Sequence, residues 1–112
     1  MAKALTSETT DLTLDIIGAY KEKRMTQSEA RAFATDLLAQ AIDAIEANPL
    51  QYREDIYALE RGVRLRRWLN PTGEYICLYR YDEVTDEAKL DIFASTRQDL
   101  QSLLYLVQIS HP

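Results

Sequence analysis

The 112-residue sequence predicts an α+β domain: a helical hairpin over about residues 9–48, packed on a small antiparallel β-sheet of three or more strands over about 61–96, then a short C-terminal helix or tail at 97–112. Three observations carry this. Apolar residues recur at helical spacing through the first half, behind two capping signals. After residue 60 the period shortens to two, and turn residues separate the runs. One of those runs, EYICLYRY, is apolar on both faces, as a central strand requires.

The first helix follows SETTD, where Ser7, Thr9 or Thr10 can cap and Asp11 suits the positive end of the dipole. Leu12, Ile16, Ala19 and Tyr20 then form its expected apolar face, and KEKR closes it. The second start is a capping box, Thr26 with Glu29. From there Ala30, Phe33, Ala34, Leu37, Leu38, Ala41, Ile42 and Ile45 lie on one stripe, which ends at Asn48 because the residue before Pro49 is pushed out of the helical region. The short connection between the helices favours an antiparallel pair. Residues 50–60 have no consistent period and read as an irregular connection or a short turn of helix. Gly62 allows a turn into VRLRRWLN, and Asn70, Pro71, Thr72 and Gly73 mark a second turn before EYICLYRY. A polar loop, DEVTDEAK, leads to a third strand, LDIFAS, through another hairpin. In the remaining segment Ser95 or Thr96 can cap a short helix bearing Leu100, Leu103, Leu104 and Val107, apolar enough to need either its own domain or a partner.

With 46% hydrophobic and 28% charged residues the chain is of the globular class, and its length suits a single domain with its own core. The single cysteine, Cys77, stands in an apolar run and has no zinc-site spacing, which predicts a buried, inert thiol and a reducing, cytoplasmic setting. No apolar run is long enough for a membrane span, and the first residues show no signal-peptide core. The net charge is −5. Residues 1–60 carry 6 basic and 11 acidic side chains, whereas residues 61–112 carry 7 of each. A field strong enough to gather nucleic acid is therefore not expected, since counterion release needs many uncompensated cations.

Against that background, RGVRLRRWLN puts Arg61, Arg64, Arg66 and Arg67 within seven positions. Strict alternation sends Val63 and Leu65 to the core and Arg64 and Arg66 outward, and a β-bulge at Arg66 or Arg67 would return Trp68 to the core. The residues alone leave two uses open. The arginines guard an edge strand against aggregation, or they join Arg80 and Arg97 in holding an acidic partner or a phosphate, for which the planar guanidinium fork is suited. His111 is the single histidine and lies at the chain's end, a poor place for an oriented general base. No metal-ligand spacing, phosphate-binding loop or nucleophile elbow is present, so no cofactor is expected. The tyrosines at 75, 79 and 81 sit where a strand needs bulk.

In order and spacing these motifs resemble the RelE/ParE family of bacterial type II toxins, and the resemblance covers nearly the whole chain. It rests on the helical pair closing with IEANP, on Gly62 and Arg64, on YICLYRYDE as the family's Tyr-x-x-x-Tyr-Arg central strand, and on DIFASTRQDL as its last strand with the Arg-Gln pair. The fold so implied is a helical hairpin on a small twisted antiparallel sheet. Two functions are implied. RelE-like members cleave mRNA in the ribosomal A site, with basic and tyrosine side chains on the sheet. ParE-like members are not nucleases and poison DNA gyrase by binding it. A small antitoxin neutralises both kinds in a hetero-oligomer, through an acidic or amphipathic segment.

Carried onto this chain, the nuclease pattern matches Arg64, Arg66 and Arg97, but the basic position in the central strand falls at Ile76 and the C-terminal tyrosine near Leu103. Neither can stabilise a scissile phosphate or accept a proton. Tyr105 reaches the tyrosine's place only by a register shift. The ParE-like branch, whose needs are a stable fold and a binding surface, fits better, with Arg61, Arg64, Arg66, Arg67, Arg80 and Arg97 as the expected partner-binding set. The alternatives are the ribosome-dependent endonuclease, with Arg64, Arg66 and Arg97 at the phosphate, and a non-toxic binding module of the same fold.

Overall fold

The computed structural model describes residues 2–96, so the expected C-terminal helix and Arg97 lie outside the described residues. Seven elements follow in order: β1 Lys3–Leu5, α1 Glu8–Lys21, α2 Gln27–Ala47, α3 Ile56–Glu60, β2 Arg66–Leu69, β3 Tyr75–Asp82 and β4 Glu87–Ser95. The strands form one four-stranded sheet in the order β1-β4-β3-β2. The architecture is α+β, but the sheet is mixed rather than antiparallel, because β1 runs parallel to β4. Sequence patterning misses β1 for a plain reason: three residues are too few to display an alternation.

Both helices start as their capping residues require. Ser7 caps α1 in a reciprocal box with Thr10, and Thr26 caps α2 in a box with Glu29. The α2 stripe is turned inward as expected: Ala30, Leu37, Ala41 and Ile45 are buried, and Phe33, Ala34, Leu38 and Ile42 pack beside the core. The connection at 50–60 resolves into α3, whose N-cap Asp55 accepts a hydrogen bond from Ala58 N at 2.9 Å.

The expected core face of α1 is overturned. Leu12, Ile16 and Tyr20 are 48%, 38% and 63% exposed, and Ala19 is exposed beside them. The buried side instead carries Thr9, Thr10, Thr13, Leu14 and Ile17. The reason lies in β4. β1 pairs only with Glu87–Lys89, which leaves the next part of β4 with backbone groups facing no strand. α1 fills that place. Thr10 Oγ1 donates to Leu90 O at 2.6 Å, and Phe93 N donates to Thr13 Oγ1 at 3.0 Å. Backbone groups that must be satisfied outweigh the apolar stripe in setting the helix's rotation.

The sheet is buried on both faces. On the helix side Trp68, Tyr75, Cys77, Tyr79, Ala88, Leu90 and Phe93 meet Leu14, Ile17, Leu37, Ala41 and Ile45. On the other side Ile76, Leu78, Ile92 and Ala94 pack with Ala58, Leu65 and Val63. A bulge beside Leu78 and Tyr79 makes the two faces consistent: Leu78 pairs with Ile92 and Tyr79 with Leu90, so Asp91 is the extra residue. That insertion turns Leu90 and Ala88 to the same side as Phe93.

Cys77 is fully buried, and burial first, then the nearby Asp91 carboxylate, pushes its thiol well above the ordinary value of 9.0. Tyr79 is likewise raised above 10.0, chiefly by burial, with its hydroxyl donating to Pro49 O at 2.6 Å. Both groups are neutral when protonated. Above their ordinary values the unfolded chain releases these protons while the folded chain keeps them, so the folded state loses stability as pH rises. Urea midpoints are expected to hold near neutrality and fall above about pH 9, and a thiol reagent should label Cys77 only once the chain unfolds. Prompt labelling of the native protein would contradict this.

Candidate partner-binding face

Among the described residues, the arginines expected to bind a partner do not share one face of the sheet. β2 begins at Arg66, and Gly62, with φ of 77°, makes the turn that precedes it. Regular pairing of Arg66 with Tyr79, Arg67 with Leu78 and Trp68 with Cys77 then sets the sides. Arg66 and Trp68 face the helices, and Arg67 faces the opposite side. The expected bulge at Arg66 or Arg67 does not occur. Because both faces of the sheet are buried, Leu65 and Trp68 reach core on opposite sides without one.

Three of the arginines are engaged inside the fold. Arg66, expected outward, is half-buried on the helix side and donates through Nη1 to Tyr52 O. Arg67 lies 3.8 Å from Asp55, and Arg80 Nε donates to Asp91 Oδ2 at 2.9 Å. Asp55 and Asp91 are both buried. Each of the two pairs thus joins a half-exposed cation to a carboxylate enclosed by the fold, a geometry in which removing either partner is costly. Asp55 also caps α3, so a single carboxylate fixes α3 against β2. Arg61 and Arg64 are exposed on the segment leading into β2. Arg97 lies outside the described residues.

The ends of the sheet are closed as well. Beside β2, Arg67 N donates to Arg53 O at 3.0 Å and Asp55 N to Leu65 O at 2.7 Å, with a bridge between Glu54 and Arg66. β2 therefore has residues 53–55 along its outer side rather than open backbone. At the other end, Ala4 N on β1 donates to the Glu46 carboxylate of α2 at 2.8 Å. These partners follow from tertiary placement. The one hint in the sequence is Asp91, a charge in the middle of an otherwise apolar run.

The tyrosines take packing roles. Tyr75 lies edge-on to Phe33 with centroids 5.3 Å apart, and Lys21 Nζ lies 4.7 Å from the Phe33 centroid and 5.5 Å from that of Tyr75. Tyr52 stands edge-on to Tyr79. Tyr81 donates to Asp86 Oδ1 at 2.6 Å, and that bond raises its pKa above the usual tyrosine value.

A groove of about 440 Å³ lies between α1 and α2, lined by Asp11, Asp15, Gly18, Arg31, Ala34 and Leu38 among others. No cluster of three or more metal-binding side chains occurs among the described residues, and no described helix is long and apolar enough to cross a membrane. The sequence matches no protein-family model, and a search of curated proteins returns no relative.

Proposed function

We propose that this chain is a ParE-like toxin of a type II toxin-antitoxin module, acting in the cytoplasm by binding DNA gyrase and neutralised by a cognate antitoxin. The reading rests first on the resemblance in motif order, with α1 and α2 taken as the family's helical hairpin against one face of the sheet. The observation that carries the choice of branch is the use of the arginines. Arg66, Arg67 and Arg80 hold Tyr52, Asp55 and Asp91, and Ile76, at the nuclease's basic position, is fully buried. Of the nuclease set, Arg66 is thus engaged in structure, while Arg64 is exposed and Arg97 lies outside the described residues, so the support comes from Arg66 and the buried Ile76. Arg64 is exposed and is the contact offered to an acidic protein segment.

Supercoiling by purified gyrase in the presence of the purified chain tests the proposal directly. Inhibition is expected, and expression should cause filamentation and DNA-damage signalling. Arg64→Ala should weaken inhibition by about tenfold, the loss of one charge-assisted contact, while leaving the unfolding midpoint in place. The second reading, a ribosome-dependent endonuclease, predicts codon-positioned cleavage by primer extension on translating ribosomes. Such cleavage with supercoiling unaffected would replace the gyrase reading. A neighbouring short reading frame whose product co-purifies with the chain would identify the antitoxin without choosing the target.

A further inference from the structure

We propose that the outward face of α1 is a docking surface for a basic amphipathic helix of a partner protein. This surface lies on a different element from the arginines and does not depend on the gyrase reading. Leu12, Ile16, Ala19 and Tyr20 follow one another at i, i+4, i+7 and i+8, so they form one continuous apolar strip along the helix, and all four are exposed. Among the described residues the core does not include the strip, because α1 is held to β4 through Thr10 and Thr13 and to the core through Leu14 and Ile17. An exposed strip of this kind on a folded domain marks an interaction site.

Charge identifies the occupant. From Glu8 to Tyr20 the helix carries Glu8, Asp11 and Asp15 and no cation, and all three carboxylates are exposed. Glu8 and Asp11 also suit the helix N-terminus, but Asp15 lies a turn further in, where the dipole no longer favours it. Asp11, Asp15 and Glu22 line the groove beside the strip, with Arg31 as its one cationic side chain. Lys21 is turned to the rings of Phe33 and Tyr75, and Lys23 lies over Tyr20 at the C-terminal end of the strip, so the acidic part of the surface is the part around Leu12 and Ile16. A second copy of α1 would bring like charges together. A helix with leucines on one stripe and lysines or arginines flanking it meets both the strip and the acids.

The test uses the full chain and three fluorescent helical peptides that share one leucine stripe and differ only in flanking residues, Lys, Gln or Glu. Anisotropy titration is expected to rank them Lys, Gln, Glu, with the Lys peptide at least about tenfold tighter than the Glu peptide and weakening with salt. Ile16→Glu should abolish binding with an unchanged unfolding midpoint, and Asp11→Lys with Asp15→Lys should reverse the ranking, with a midpoint lowered slightly because Asp11 supports the start of α1. Equal binding of the three peptides, no binding of any, or insensitivity to Ile16→Glu would overturn the proposal. So would a dimer of the chain alone that Ile16→Glu dissociates, since the occupant would then be a second copy.

Discussion

Replacing Thr10 and Thr13 together by valine should destabilise the fold by roughly 3 kcal/mol, more than any pair of changes on the outward face of α1. Each hydroxyl serves a backbone group that no strand reaches. Thr10 Oγ1 satisfies Leu90 O and bonds within the capping box, while Thr13 Oγ1 accepts from Phe93 N and donates to the α1 backbone at Thr9 or Thr10. Valine keeps the shape and removes the bonds, so Phe93 N would lose its Thr13 partner at about 1–3 kcal/mol, and Leu90 O would be left to the longer bond from Ser7 Oγ at 3.3 Å, at the lower end of that range. Urea unfolding should show a lower midpoint at unchanged slope. In the same assay Leu12→Ser and Ile16→Ser should fall within about 0.5 kcal/mol of the parent, as surface changes do. The reverse order would mean that α1 is rotated the other way.

Arg80→Met should cost roughly 3 kcal/mol, because it takes the Arg80 guanidinium away from the fully buried Asp91 carboxylate. The bulge forces this pairing. It inserts Asp91 next to Arg80 on β3 and gives the carboxylate no route to solvent. A second change, Asp91→Leu in the Arg80→Met background, removes the buried carboxylate as well and should recover more than half of the loss. If the double variant is no better than Arg80→Met alone, the ion pair is not the source of the cost. The result also bears on the proposed function: under that reading, weaker inhibition by Arg80 or Arg67 variants would report a weakened fold, so Arg64 is the position at which contact and stability separate.

The course of the chain was legible wherever a local signal carried it. The cap among Ser7, Thr9 and Thr10, the capping box at Thr26, the stop before Pro49, the turn at Asn70–Gly73 and the two-faced run through Cys77 all act within a few residues of themselves. β1 and the rotation of α1 depend on what β4 lacks along one side, and no local pattern records that. The arginines show the same limit. Spacing located Arg66, Arg67 and Arg80, but whether a guanidinium faces a partner or a buried carboxylate depends on the placement of Tyr52, Asp55 and Asp91.

The closed ends of the sheet bear on how quickly a partner can engage. A segment that joins by adding a strand must first displace Glu46 from Ala4, or peel residues 53–55 from β2. Association by that route is gated by the protein's own opening, so its observed rate levels off as partner concentration rises. A helix settling on α1 waits for no such step, and its rate climbs in proportion to concentration. The two ways of capturing this chain thus differ in time course before they differ in affinity.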